Sequence, residues 1–155
     1  MAAILGRAAD IADRGQRRQM RSLDQRRQLC GPGRLALPAA RAVAPDGAVV
    51  ALDLQEGMLA RARERALAAG IGNIRFVQGD WTRAELDIAR FDRALLVTVL
   101  GEIPDQAAAL QAIHRVLKPG GLLSVTEIVF DPHFQGRSKV ARLAAAAGFH
   151  ERAFF

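Results

Sequence analysis

Apolar and polar positions along this chain follow two regimes that meet near residue 30. Beyond it, short apolar runs alternate with longer amphipathic segments. Residues 34–44 (RLALPAARAVA) predict a helix that ends at the turn sequence Pro45-Asp46-Gly47. Residues 48–54 (AVVALDL) are a continuous apolar run with β-branched members, the pattern of a parallel strand covered on both faces. Over 56–69, Met58, Leu59, Ala62 and Ala66 share one helical face, and Gly70 is placed to end the helix. Further strands are predicted at 73–77, 91–100 and 122–130, with a helical connector at 82–90, helices at 104–117 and 137–148, and a tight turn at Lys118-Pro119-Gly120-Gly121. Strands separated by helices predict an α/β fold with a doubly wound, mostly parallel sheet.

The first thirty residues do not share this pattern. Residues 2–13 are Ala-rich, and Ile4, Leu5, Ala8, Ala9 and Ala12 lie near helical spacing, which predicts a short helix. Residues 14–28 (RGQRRQMRSLDQRRQ) hold six Arg and four Gln with no period of two or 3.6, the pattern of solvated coil or a ragged helix. The expected organisation is an irregular basic preface over 1–29 and one domain over 30–155.

Charge sharpens that division. Residues 1–41 hold nine Arg against Asp10, Asp13 and Asp24, whereas residues 42–155 hold thirteen basic and thirteen acidic residues, so the net charge of +6 belongs to the N-terminal quarter. A basic arm for nucleic acid would carry aromatic residues to stack bases, and that quarter has none, so nucleic acid is not expected as a partner. The 155 residues suit one core. A single cysteine, Cys30, excludes an intrachain disulfide and fits a reducing compartment. The sequence shows neither a signal-peptide pattern nor a membrane-length apolar run, so a cytoplasmic protein without a membrane partner is expected.

The candidate chemistry starts at Cys30-Gly31-Pro32-Gly33, a glycine-rich turn followed by a helix and then a strand whose acid, Asp53, lies twenty residues past Gly33. Such a turn lets backbone approach a ligand, the next helix aims N–H groups at an anionic group, and a carboxylate ending a strand can hold two ribose hydroxyls. In a doubly wound sheet the loops leaving the carboxyl ends of the strands open on one edge. Four such positions carry suggestive residues: the Cys30–Gly33 loop, Asp53, Asp80-Trp81 and the segment from Thr98 to Glu102.

Their order resembles the Rossmann-like class I methyltransferases that use S-adenosylmethionine, and within them the ubiquinone and menaquinone biosynthesis branch. The resemblance rests on CGPG at 30–33, VVALDLQEGMLARAR at 49–63, IRFVQGD at 74–80, FDRALLVTVLGEIPD at 91–105 and HRVLKPGGLLSVTE at 114–127. It implies S-adenosyl-L-methionine as cofactor and a small-molecule methyl acceptor as partner. Cys30, Gly31 and Gly33 would then lie against the methionine part of the cofactor, and Asp53 would hold its ribose. Leu54 and Met58 would line the adenosine, Asp80 would accept from the adenine amino group beside Trp81, and Thr98 would lie near the transferring methyl.

A base is needed only if the acceptor must lose a proton first; Glu102 and His133 are the candidates, against plain readings as a loop acid and a surface histidine. Glu127 is expected as a buried acid satisfied by its neighbours. No metal site is expected.

The resembled family opens with an apolar strand of the form LDLGCGPG, where this chain has Arg26, Arg27, Gln28 and Leu29. The first strand is therefore expected to be degenerate. It would be central in the sheet, and burying its three or four aliphatic side chains would contribute roughly 5–12 kcal/mol. The family also closes its sheet with an antiparallel strand pair, for which Phe149–Phe155 leaves room for one strand, so that pair is expected to be truncated. Residues 1–29 are accordingly expected not to be the sequence with which this domain evolved.

Two rival functions follow from the same residues. Gly31-Pro32-Gly33-Arg34-Leu35-Ala36 also fits the G-x-G-x-x-A dinucleotide fingerprint, with Asp53 on an NAD ribose. A non-catalytic remnant acting as a binding module is the other.

Overall fold

The computed structural model describes residues 2–6, 33–82, 84, 86 and 88–154. Five strands form one sheet: β1 (Ala2–Gly6), β2 (Ala48–Asp53), β3 (Ile74–Gln78), β4 (Phe91–Val97) and β5 (Leu117–Thr126). Helices α1 (Ala36–Val43), α2 (Glu56–Ala68), α3 (Gln106–Val116) and α4 (Arg137–Ala146) cover it, and a 3₁₀ turn spans Leu100–Glu102. The strand order is β3-β2-β1-β4-β5. The pairs β2–β3 and β4–β5 are parallel, as the alternation of strands and helices requires. The fold is thus α/β and Rossmann-like, as expected.

The centre of the sheet differs from expectation. Its slot is filled by Ala2–Gly6, a segment expected to be helical, which runs antiparallel to both β2 and β4. Five apolar residues satisfy a period of two as readily as one of 3.6, and the open slot between two strands decides the outcome over the helix propensity of alanine. Ala3 and Leu5 pack on one face with Val49, Ala51 and the α1 residues Ala36 and Ala40. Ala2 packs on the other face with Val50, Leu52, Ala94 and Leu96. The central position of the sheet is thereby held by a five-residue strand, Ala2–Gly6; residues 26–29, where the first strand was expected to be degenerate, lie outside the described residues. The reversal also places the amino end of β1 beside the carboxyl ends of its neighbours, because Ala2 partners Leu52 and Ala3 partners Leu95.

Two cores result, one on each face of the sheet. On the first, α3 lays Ala109, Leu110 and Ile113 against Leu96 and Ala94, with Trp81 and Leu100 filling the same cluster. Helix α3 starts at Asp105, whose carboxylate accepts from the Ala108 N–H at 2.9 Å, and Pro104 lies just outside that cap. On the second face, α1 packs over β1 and β2 through Ala36, Ala40 and Val43.

Three further expectations need adjustment. The described residues of 82–90 are turn or irregular, not helical, and they contribute Ala84 and Leu86 to the first core. The expected turn at 118–121 is a bulge inside β5: Phe91 pairs with Leu117 and Arg93 with Leu122, so three extra residues are accommodated. Gly120 there has φ +78°, and Lys118 closes the bulge with an ion pair to Asp92 at 2.7 Å. The strand ends at Thr126, short of the expected residue 130. After α4, the described residues 149–154 form neither strand nor helix.

Candidate functional site

The carboxyl ends of β2, β3 and β4 deliver Asp53, Asp80 and Thr98 to one edge of the sheet. The loops after β2 and β3 are tied together, since the Gly79 N–H donates to the Asp53 carbonyl at 3.0 Å and Gln78 Nε2 donates to the Leu54 carbonyl at 3.3 Å. Asp53 itself accepts from the Gln55 N–H at 2.9 Å, which fixes its carboxylate just ahead of α2. Leu54 beside it is 61% exposed, and Met58 lies half-buried in the first turn of α2. Asp80 accepts from the Thr82 N–H at 2.7 Å and from the Thr82 hydroxyl. Trp81 is 5% exposed and belongs to the first core, so its ring serves packing in this structure.

Beyond the slot taken by β1, the loops after β4 and β5 form a second tied pair. The Thr98 N–H donates to the Thr126 carbonyl at 2.8 Å, and the Thr98 hydroxyl donates to the Val97 carbonyl at 2.8 Å. Thr98 has φ +50°, a left-handed conformation that a β-branched residue adopts at a cost of order 1–3 kcal/mol. With β1 between β2 and β4, Asp53 and Thr98 stand at the ends of strands that lie about 10 Å apart, on the two sides of β1. This is where the strand order reverses, the place where ligands of doubly wound sheets collect.

Of the glycine loop, Cys30 and Gly31 lie outside the described residues. Gly33 is described, with φ +77°. A Cβ there would meet Leu37 Cδ1 at 2.8 Å and the Ala62 Cβ at 3.2 Å. The glycine is therefore required locally by the close approach of α1 and α2.

The candidate bases come together. The loop after β5 folds back onto the 3₁₀ turn so closely that a Cβ on Gly101 would collide with the His133 carbonyl oxygen. This contact joins Glu102, on the turn, to His133, on the loop; both side chains are exposed. The Asp131 carboxylate accepts from the His133 N–H at 2.7 Å, and Gln135 Nε2 donates to the His133 carbonyl at 2.8 Å.

Glu127 lies beneath this loop and differs from expectation. Its carboxylate accepts from the Gln135 backbone N–H, but its Oε1 is buried with no hydrogen-bond partner, as is Oε1 of Gln135. Burial holds its pKa above the ordinary carboxylate range; the Gln135 N–H opposes this, and Asp131 and Glu102 reinforce it. No sequence signal marks this site, because Gln135 reaches Glu127 only through the fold of the loop. Among the described residues, no cluster of His, Cys, Asp and Glu could hold a metal ion, and no helix is long and apolar enough to cross a membrane.

Gly101 gives a direct stability test of this packing. Gly101→Ala is expected to push the 131–135 loop away at a cost of about 1–3 kcal/mol, which lowers the melting temperature by about 2–4 °C for each kcal/mol in a chain of this size. Gly57→Ala is the control, because a Cβ there meets nothing within 4 Å. It should hold or raise the melting temperature.

Residues 29–121 match the family described as "Methyltransferase domain". The chain is 34% identical over 93 residues to a demethylmenaquinone methyltransferase of Geobacillus kaustophilus, covering 60% of this chain and 40% of that protein. To a demethylmenaquinone methyltransferase of Staphylococcus aureus it is 33% identical over 117 residues, covering 76% and 46%. The chain thus spans less than half the length of these curated relatives. Among solved structures, it is similar to an arsenic(III) S-adenosylmethionine methyltransferase from Chlamydomonas reinhardtii, with a TM-score of 0.67 and 27% identity over 76% of this chain and 48% of that one.

Proposed function

This chain belongs to the methyltransferase domain family, whose cofactor is S-adenosyl-L-methionine, and from that premise we propose that it transfers a methyl group to a small, ring-type acceptor related to demethylmenaquinone. The observation that carries this reading is the convergence of Asp53, Asp80 and Thr98 on one edge at the point where the strand order reverses. The donor set suits the cofactor. Carboxylates at Asp53 and Asp80 match vicinal ribose hydroxyls and an exocyclic amino group, and both are hydrogen-bond acceptors when ionised. Acidic groups also suit a ligand that carries a sulfonium and an ammonium.

In this reading Asp53 holds the ribose, Leu54 and Met58 line the adenosine, and Asp80 takes the adenine amino group. Trp81 supports that loop from the core, and Thr98 stands near the methyl. Cys30, Gly31 and Gly33 face the methionine part. When bound, the cofactor supplies an already activated methyl group on its sulfonium. The chain's own contribution is alignment of an acceptor and exclusion of water, a proximity effect that can be worth about 7–11 kcal/mol. Glu102 and His133 line the acceptor side.

The acceptor chemistry follows from the methyl donor. A sulfonium methyl is attacked by an electron-rich centre, whereas an oxidised quinone ring is electron-poor; the reduced, hydroxylated ring is the form that can attack. A soluble, cytoplasmic setting goes with this reading and with the single cysteine. The test is incubation with S-adenosylmethionine and demethylmenaquinone kept reduced by dithionite, followed by mass spectrometry for a gain of one methylene unit. No gain, from protein that binds S-adenosylhomocysteine, would reject the acceptor class.

Parallel titration with NAD tests the dinucleotide alternative. The LKPGG bulge, fixed by Lys118 and Asp92, and the matches to methyltransferases favour the methyl donor.

A further inference from the structure

We propose that Glu127 is the base of this site: its Oε1, with Oε1 of Gln135, receives a hydroxyl of the methyl acceptor and takes that hydroxyl's proton. The inference rests on the methyl-transfer reading above and adds a residue that neither the glycine loop nor the strand-end acids identify.

Position is the first argument. Glu127 follows Thr126 directly, and the Thr126 carbonyl is bonded to the Thr98 N–H at 2.8 Å. The carboxylate therefore hangs from the same tied pair of loops that borders the acceptor side of the edge. Satisfaction is the second. Two buried acceptor oxygens, on Glu127 and Gln135, have no donor among the described residues, and a buried acceptor without a donor costs about 1–3 kcal/mol. A ligand hydroxyl would supply the missing donor. The neighbours do not supply that donor: Gln135 Nε2 is bonded to the His133 carbonyl, the Asp131 carboxylate accepts from the His133 N–H, and Glu102, like Asp131, adds negative charge beside Glu127.

The surroundings of the carboxylate agree with this role. Burial raises the Glu127 pKa, with Asp131 and Glu102 adding to the shift, so it is a stronger base than a solvated glutamate. The proton account closes. The acceptor hydroxyl gives its proton to Glu127, and the ring carbon forms its bond to the methyl as the methyl–sulfur bond breaks with its electron pair going to sulfur. The ring carbon's own hydrogen leaves as a proton to water, and Glu127 returns its proton to the oxygen. One proton is released per methyl transferred.

The raised pKa also fixes a sign. Between the ordinary glutamate pKa and the raised folded value, the native state binds more protons than the unfolded one, so stability contributed by this residue falls as pH rises through that window. Glu127→Gln removes the cost of a buried charge and should leave the melting temperature at neutral pH unchanged or higher. Methyl transfer to reduced demethylmenaquinone should fall about 10²–10⁴-fold, and the acidic limb of the pH–rate profile should vanish. Affinity for S-adenosylhomocysteine should not change. A substitution that lowers melting temperature, affinity and rate together would make Glu127 structural and overturn the proposal. So would retention of more than a tenth of the rate.

A readout independent of turnover comes from carbon-13 NMR of glutamate carboxyls, with Glu127 assigned through Glu127→Gln. The signal should titrate above the other glutamates. Adding 1-naphthol, a bare hydroxyl-bearing ring, to the S-adenosylhomocysteine complex should move it. A signal that titrates normally and ignores 1-naphthol overturns the proposal even where methyl transfer is observed. A signal that moves while reduced demethylmenaquinone is not methylated supports Glu127 and rejects the proposed acceptor.

Discussion

Asp53→Ala is expected to weaken S-adenosylhomocysteine binding by about 10- to 150-fold for each ribose hydrogen bond lost, since a hydrogen bond to a charged group contributes about 1.5–3 kcal/mol. Several features make this position sensitive. Asp53 ends β2, its main-chain carbonyl is tied to Gly79, and its carboxylate is oriented by the Gln55 N–H at 2.9 Å. A residue fixed through both its main chain and its carboxylate enters binding with little orientational freedom left to lose. Asp53→Asn separates its roles, because an amide oxygen can still accept from Gln55 while the charge is gone. Calorimetric titration should rank affinity as wild type, then Asp53→Asn, then Asp53→Ala, with only small changes in melting temperature. Equal affinity in all three proteins would remove Asp53 from the cofactor site.

The largest effect on folding is expected at Leu110. It is fully buried on α3, in the cluster that joins the helix to Leu96, Ala94 and Trp81. Leu110→Ala removes apolar area and leaves a cavity bounded by sheet and helix, at a cost of about 2–5 kcal/mol. Against a typical domain stability of about 5–15 kcal/mol, that is a large fraction. Urea unfolding should show the midpoint falling with the slope unchanged. Leu67, on α2 and 83% exposed, is the comparison: Leu67→Ala should stay within about 0.5 kcal/mol of wild type. A small change at Leu110 would mean that α3 is not the main cover of that face.

How much of this was legible in the sequence can be judged element by element. Strands β2 and β4 and all four helices were legible because each is a run or stripe long enough for its period to be unambiguous. Gly70 then marked the end of α2. β1 was not legible: Ala2–Gly6 is five apolar residues, and only the empty slot between β2 and β4 selects strand over helix. The LKPGG segment was seen as a turn because Pro-Gly-Gly is turn chemistry; its place inside β5 depends on the partner strand and on Lys118 reaching Asp92.

For the candidate site, the strand-end rule alone puts Asp53, Asp80 and Thr98 on one edge of the sheet. It gave a different role to Trp81, whose ring faces the core. It also left Glu127 undistinguished, because the orphaned oxygens of Glu127 and Gln135 come from a loop that folds back over Gly101. That fold-back leaves no periodicity in sequence.

The central claim is that this edge binds S-adenosylmethionine. Titration of the protein with S-adenosylhomocysteine, monitored by calorimetry with NAD in parallel, tests it most directly. The account predicts saturable heat with S-adenosylhomocysteine, none with NAD, and stabilisation of about 2.7 kcal/mol at 100 times the dissociation constant. Heat from NAD alone, or from neither ligand, would contradict it.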